Sequence, residues 1–572
     1  MRARVASQYA LMIAVLGALA LTLVYPIWLT VKGGFVDDVV TGTGFTFRHI
    51  IGVFEDPVQV EGLINALLIA IVTTLLCLII SLPLAVLAAN YKYPFKGVWN
   101  AVILVPLILP PFVGAIGMRA LLGRSGALNA LFGTDWDILG TGKFWGVVIV
   151  EALHLYPILY LNATASLANL DPALDEAAEN LGISPLKRFF CITLPLIRPG
   201  LFAGGTIVFI WSFTELGTPL IFDMYNVTPV QIFNGIKEVD TSASPYALTV
   251  VMLAVAILCY TLGKLVFGGK GYEMTTRASR AGGETQLPLV PGLLAMGAFG
   301  IVTVLALLPH VGVVLEAMTA EGSWYNSVLP GKITGEHFES ALTHPMAFGS
   351  IVNSLQFSAA AVAVDIVLGL LIAYLIVRTT IRGRFLLDSL SMLPLAVPGL
   401  VMAFGYVAVT LSWPFGPGDP LHGVVGVIGA DPNPIPLLIM AYAVRRLPYV
   451  VRSAVAGLET TSGELEEAAV NLGASTITAV RKIIVPLIMA NLIAGGLLAF
   501  SFAMLEVSDS LILAQQEKHY PITKAIYTFT ARLGDGSGIA SAMGVWGMAL
   551  LTVTLVGASI MLGKKLGAIF RV

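Results

Sequence analysis

Leu170-Asp171-Pro172-Ala173-Leu174-Asp175-Glu176-Ala177-Ala178-Glu179-Asn180-Leu181-Gly182 decides the organisation of this chain, because a related stretch follows 291 residues later. The second copy is Thr461-Ser462-Gly463-Glu464-Leu465-Glu466-Glu467-Ala468-Ala469-Val470-Asn471-Leu472-Gly473. Asp171 can cap a helix whose first residue is Pro172. Thr461 with Glu464 forms a capping-box pattern, and acids in the first turns suit the helix dipole. Gly182 and Gly473 can take the left-handed turn that stops a helix. The spacing predicts a short helix in each copy, followed by a second short helix ending near Pro195 or Pro486. Such a helix is too short to be stable alone and needs a groove to lie in. Its alanines allow close approach. The alternative is a plain re-entry elbow packed on its own bundle; recurrence at matched positions weighs against it.

The duplication extends outward from these stretches. His49, Pro57, Asn65, Pro106, Pro110 and Gly117 recur 288 residues later as His337, Pro345, Asn353, Pro394, Pro398 and Gly405. Pro157, Leu167, Gly182, Pro195, Gly204, Gly205 and Glu215 recur 291 residues later as Pro448, Leu458, Gly473, Pro486, Gly495, Gly496 and Glu506. A net insertion of three residues in one extracytoplasmic loop accounts for the change of offset. The repeats run from about 45 to 268 and from about 333 to 563, each with an extra apolar run before it.

The 572 residues are 57% hydrophobic and 12% charged, against roughly 45–50% apolar and about 25% charged in soluble proteins. Mean hydropathy is +0.87. These values exclude a soluble globular enzyme and a disordered chain. The net charge of −2 offers no basic face for nucleic acid. Cys77, Cys191 and Cys259 have neither disulfide-framework nor metal-site spacing.

Twelve apolar runs stand near 9–31, 62–90, 98–120, 144–167, 200–222, 246–268, 288–316, 349–377, 386–412, 435–456, 490–514 and 541–563. The expected fold is an all-α membrane protein of about twelve transmembrane helices in two parallel six-span repeats. The N-terminal run lacks a small-residue cleavage pattern and reads as a retained first span. One set of connections concentrates Lys and Arg: Lys92 and Lys96; Lys187, Arg188 and Arg198; Lys270, Arg277 and Arg280; Arg378, Arg382 and Arg384; Arg481 and Lys482. Arg2, Arg4, Lys564, Lys565 and Arg571 place both termini on the same, cytoplasmic side. The domain reading is 1–268 as the first half, 269–287 as a polar, glycine-rich cytoplasmic linker and 288–572 as the second half.

Two acids stand inside apolar runs at matching positions. Glu215 lies in Trp211-Ser212-Phe213-Thr214-Glu215-Leu216-Gly217, and Glu506 in Met504-Leu505-Glu506-Val507-Ser508-Asp509. Counting from Gly200 at about 1.5 Å per residue puts Glu215 roughly 22 Å up its helix, in the outer half of a bilayer. An acid at that depth costs up to about 2.5–3.5 kcal/mol. The functional reading is a translocation pathway or outer gate lined by Glu215, Glu506 and Asp509; the alternative is hydrogen bonding to a neighbouring helix. Glu151-x-x-His154 has a carboxylate-bundle metal spacing, but Arg445 stands at the position matching His154. A metal site is therefore left unknown. Arg445 and Arg446 are read as snorkelling to the interface or lining an inner cavity, and His49 and His337 as interfacial or capping residues. No clustered catalytic set occurs, and no catalytic residue is assigned. A P-loop is missing: Gly140-Thr141-Gly142-Lys143 is followed by Phe144 and lacks the glycine spacing.

Glu-Ala-Ala, three residues, Gly, nine residues, Ile, one residue, Leu-Pro is the signature of binding-protein-dependent ABC importer permeases. The chain resembles it at Glu176, Ala177, Ala178, Gly182, Ile192, Leu194 and Pro195. The second copy resembles it at Glu467, Ala468, Ala469, Gly473, Ile483 and Pro486, with Val485 in place of Leu. The resemblance implies the type I ABC importer permease fold in a fused two-half form, most like the ferric iron permeases. It implies that Glu176, Ala177, Ala178, Gly182, Glu467, Ala468, Ala469 and Gly473 belong to ATPase-coupling helices. It further implies two copies of an ABC ATPase subunit and a periplasmic or lipid-anchored substrate-binding protein as partners, in the inner membrane and among its lipids. No cofactor is expected on this chain; ATP and magnesium belong to the partner subunits. Ferric iron is the expected substrate, with phosphonate, thiamine, polyamine or an oxyanion as alternatives. An ion-gradient-driven secondary transporter is the rival of another class.

Overall fold

A computed structural model of the chain describes residues 2–38, 42–267 and 285–562. The linker read over 269–287 lies outside the described residues except for its last three, as do Lys270, Arg277, Arg280, Lys564, Lys565 and Arg571. Among the described residues the named elements are helices apart from a short parallel strand pair, Tyr91–Lys92 with Thr285–Gln286.

Among the described residues, eight helices are long and apolar enough to cross a membrane: Ala6–Phe35, Pro57–Asn90, Lys143–Ala168, Pro185–Ile221, Ser244–Phe267, Leu289–Ala317, Pro345–Arg378 and Gly536–Gly557. Three further pairs of helices are bent at a break, and two of them lie in runs read from the sequence as single spans, near 98–120 and 386–412. Lys96–Ile108 meets Pro111–Phe132 at 92°, Arg384–Ala396 meets Gly399–Thr410 at 104°, and Thr476–Leu487 meets Met489–Met504 at 75°. Proline explains the first two breaks: Pro110 and Pro398 are extended and stand immediately before the second helix of each pair. Hydropathy registers the apolar composition of these runs and is blind to the bend. The twelfth run is the 25-residue helix Ile435–Glu459. Its arginines, including Arg445 and Arg446, lower its hydropathy while leaving the helix intact.

Helix bounds repeat at both sequence offsets. Pro57–Asn90 and Pro345–Arg378 are each 34 residues long, and Pro111–Leu122 and Gly399–Thr410 are each 12. After the shift of offset, wide π turns recur at Phe189–Thr193 and Val480–Ile484.

The compact units do not follow the chain as 1–268 and 288–572. One contains Met1–Val60, Thr228–Val251 and Thr334–Ile569; the other contains Glu61–Val227 and Met252–Ile333. The extra span before each repeat thus packs into the other repeat. In the first unit Met12, Val15 and Leu19 of the leading span pack with Ile372, Leu375, Leu387, Leu447 and Val451. In the second, Phe299 of Leu289–Ala317 stacks on Tyr93 at 5.3 Å and meets Tyr160 edge-on at 6.4 Å.

Glycines that match across the repeats make this exchange possible. A Cβ on Gly117 would lie 2.4 Å from the Val313 nitrogen and 2.6 Å from the Pro309 oxygen. A Cβ on Gly405, the matching residue, would lie 2.7 Å from the Pro26 oxygen. At each site helix backbones touch where a side chain is missing, the close packing that small residues permit between membrane helices.

Candidate functional site

The first matched loop forms the helix Pro172–Asn180, with the Asp171 carboxylate accepting from the Ala173 amide at 3.0 Å. Gly182 takes a φ of +70°. The Gly182 and Ile183 amides then close on the carbonyls of Glu179 and Ala178 at 2.9 and 3.0 Å. The second loop forms Glu464–Asn471, ended by Gly473 at φ +92°. Its entry differs from the capping box expected of Thr461 and Glu464. Gly463 is the cap residue and offers no side chain. Thr461 Oγ1 is engaged elsewhere, donating to the Leu458 carbonyl at 3.0 Å and accepting from Arg378 Nη2 at 2.8 Å. Ser462 Oγ accepts the Glu464 amide instead, at 3.2 Å.

Glu176, Ala177, Glu467 and Ala468 face outward, while Ala178 is buried. The loops also present matched apolar residues that the motif does not contain. Leu181 and Leu472 are 78% and 90% exposed, and Leu186 and Ile477 are 74% and 80% exposed. Four large aliphatic side chains this bare, paired across the repeat, suit a protein partner. The 291-residue offset would have found Leu186 and Ile477, which lie between the Gly and Ile of the signature. Lys143 of the near-P-loop has a local duty: its Nζ donates to the Asp223 carbonyl at 3.0 Å.

Replacing Gly182 and Gly473 together by valine tests the loops. A Cβ at either position meets nothing within 4 Å, so the cost is confined to the backbone, about 1–2 kcal/mol per residue in the left-handed region. The expected result is a chain that inserts and folds but loses co-purifying ATPase, or hydrolyses ATP without uptake. Retention of both stable association and coupled uptake would remove the docking role.

The paired acids are held in different ways. Glu215 follows the helix Leu194–Phe213, and its Oε1 accepts from the Thr218 amide at 3.2 Å and the Thr218 hydroxyl at 3.3 Å. Glu506 follows Met489–Met504, is 4% exposed and is enclosed by arginine. Arg445 Nη1 is 3.2 Å from Glu506 Oε1 and 3.7 Å from Asp509 Oδ2. Arg446 Nη2 pairs with Glu506 Oε2, donates to the Phe502 carbonyl at 3.2 Å, and places its guanidinium over the Phe502 ring. The two arginines therefore pair with acids inside the helical bundle, where the sequence reading had them snorkelling or lining a cavity. Room for Arg445 depends on Gly399, whose Cβ would lie 1.4 Å from Nη1. Ser510 and Thr523 hydroxyls donate to the Glu506 carbonyl at 2.6 and 2.7 Å, tying down the break after Met504.

Glu151 and His154 serve different neighbours. Glu151 accepts from the Ser212 hydroxyl, and His154 Nδ1 is 2.8 Å from the Pro106 carbonyl. The acid thus ties its helix to Leu194–Phe213, and the histidine ties it to the turn before Pro110.

Similarity to known proteins follows the same duplication. The chain is 25% identical over 532 residues to the ferric transport system permease protein FbpB of Actinobacillus pleuropneumoniae, covering 89% of this chain and 72% of that relative. It is 30% identical over 163 residues to the molybdenum transport system permease protein ModB of Escherichia coli (strain K12), covering 28% of this chain and 71% of that one. A solved bacterial ABC transporter involved in the import of the acidic polysaccharide alginate aligns with 47% of this chain and 96% of its own, with TM-score 0.39 and 15% identity. The family model for the binding-protein-dependent transport system inner membrane component matches residues 81–269 and 365–562. Both matches contain one of the exposed glycine-ended loops, and the chain belongs to that family, the permeases of ABC importers.

Proposed function

We propose that this permease moves ferric iron inward, taking it from a separate binding protein. The observation that carries the importer reading is the pair of exposed, glycine-ended loop helices at matched positions, each inside a family match. Ferric iron is supported by the similarity to the ferric permease, which spans most of both chains. Two ATPase subunits, one for each loop, bind ATP and magnesium, and this chain holds no cofactor and performs no catalysis of its own. ATP binding draws the loop helices together and opens the spans outward; hydrolysis and release return the inward-facing form. Both termini lie in the cytoplasm, as the basic residues of the matching connections favour. The lipid bilayer surrounds the chain, and nucleic acid is no partner.

Glu176, Ala177, Ala178 and Gly182, with Glu467, Ala468, Ala469 and Gly473, form the surfaces that meet the ATPases. Glu215, Glu506 and Asp509 line the route, the last two with their charge balanced by Arg445 and Arg446. Support for this assignment comes from their place at helix breaks within apolar spans.

An oxyanion is the second reading, favoured by the 30% identity to the molybdenum permease. Uptake by membrane vesicles containing the permease, its ATPase and its binding protein separates the two. ATP-dependent accumulation of radiolabelled ferric iron, uncompeted by molybdate, is the expected outcome. Accumulation of molybdate with exclusion of iron would replace the first reading by the second.

A further inference from the structure

We propose that the two ATPase-facing loops are held unequally, and that Tyr374 and Arg378 are positioning residues that latch the second loop to the cytoplasmic end of the helix Pro345–Arg378. The proposal rests on the reading of Glu464–Asn471 as an ATPase-docking helix. Tyr374 donates its hydroxyl to Glu466 Oε1 at 2.5 Å, and Glu466 is buried although it belongs to an otherwise exposed loop helix. One turn further, Arg378 Nη2 donates to the Thr461 carbonyl and to Thr461 Oγ1, each at 2.8 Å.

The spacing of these contacts gives them mechanical meaning. Tyr374 and Arg378 are four residues apart and share a helix face. Thr461 and Glu466 flank the start of the loop helix. A single tether would leave a short helix free to swivel; two tethers, one to the preceding turn and one to the third helical residue, fix its position and its rotation. A helix of eight residues has little stability of its own, so it takes its orientation from what holds it. A push on the second loop therefore reaches Pro345–Arg378 directly.

The first repeat is built otherwise. At the positions matching Tyr374 and Arg378 stand Val86 and Asn90. Valine has no hydroxyl to donate, and asparagine has neither the reach nor the charge of arginine. The polar links described for the first loop are local to it: Asp171 to the Ala173 amide, and Arg188 to Glu179 at 3.8 Å. Thr461 explains why the second loop gives up its capping box, since its hydroxyl serves the latch. Two identical ATPases would thus act on unlike levers, and the stroke transmitted through the second loop is the more rigidly coupled.

The test uses the assembled complex of permease, ATPase and binding protein. Leu181→Cys and Leu472→Cys, made separately with Cys191→Ser, report cross-linking of each loop to the ATPase with and without a non-hydrolysable ATP analogue. Tyr374→Phe and Arg378→Gln are each expected to cut the nucleotide-dependent change at Leu472→Cys by about tenfold, the worth of one charged hydrogen bond. The change at Leu181→Cys should stay as before, and Arg378→Lys should recover most of the loss. Asn90→Ala, the matched control, should alter neither loop. Where Tyr374→Phe lowers assembly, Thr461→Val removes one acceptor at a half-buried site and must shift the same loop. Equal effects on both loops, or no effect on the second, would overturn the latch while leaving docking in place. No cross-link from Leu181→Cys or Leu472→Cys in chains with Tyr374 and Arg378 intact would overturn docking and the latch together. None of these outcomes depends on whether the substrate is iron.

Discussion

Glu506→Gln is expected to destabilise the folded permease by about 3–5 kcal/mol, because it strips the shared partner from two arginines inside a bundle. Arg445 and Arg446 are 22% and 12% exposed and both reach the same carboxylate. Asp509 stays 3.7 Å from Arg445 and balances part of that arginine's charge, so the loss falls most heavily on Arg446. The comparison that fixes the scale is Asp388→Asn. The Arg452–Asp388 pair is 3.5 Å apart but 52% and 41% exposed, so its loss should cost at most about 1 kcal/mol. Thermal unfolding of the purified chain in detergent would show the difference as a large fall in melting temperature for Glu506→Gln and almost none for Asp388→Asn. Combining Glu506→Leu with Arg446→Leu should recover part of the loss, since the two residues are in contact and their effects are not additive. Equal melting of Glu506→Gln and the unsubstituted chain would mean that the pair is not formed in the folded protein.

Gly117→Ala and Gly405→Ala should be nearly as damaging, and for a steric reason. The added methyl at Gly117 meets backbone atoms of Leu289–Ala317, and the one at Gly405 meets backbone atoms of Tyr25–Phe35. Backbone in a helix cannot rotate away as a side chain does, so each leading span must shift bodily. Overpacking of this kind costs typically about 1–3 kcal/mol. Gly312 is the instructive partner of Gly117: a Cβ there would lie 2.6 Å from the Gly117 oxygen, so Gly312→Ala should reproduce Gly117→Ala. By contrast Gly297→Ala, on the same span with nothing within 4 Å of its Cβ, should be neutral. A disulfide formed between cysteines placed at 116 and 313 reports docking of the span. Its retention in Gly117→Ala at wild-type yield would show that the contact carries no weight.

Duplication, apolar runs and glycine-ended loops were legible in the sequence because each leaves a mark in one dimension: a recurring spacing, a composition, a residue type at a helix end. The exchange of leading spans leaves no such mark. Gly117 and Gly405 are visible as a matched pair, but nothing in the linear chain says that their neighbours are Pro309 and Pro26. The twofold use of Glu506 was hidden similarly. Arg445 and Arg446 stand on a helix 60 residues away from Glu506, and only the fold brings them together. The capping-box pattern at Thr461 illustrates competition: the local rule was satisfied in sequence, and Arg378, 83 residues earlier, claimed the hydroxyl. The broken spans failed for a different reason, since hydropathy sums composition and is indifferent to direction.

The exchanged spans impose a timetable on synthesis. Leu289–Ala317 is made almost 200 residues after Gly117, and Gly405 almost 400 residues after Pro26. At about 5–20 residues per second, the groove at Gly117 stays vacant for roughly 10–40 s, and the leading span waits roughly 20–80 s for its own. During that interval each exposes to lipid a surface shaped for protein backbone. A ribosome that stalls within the linker leaves behind one helix without a berth and one berth without a helix, and neither can be filled by the residues already made.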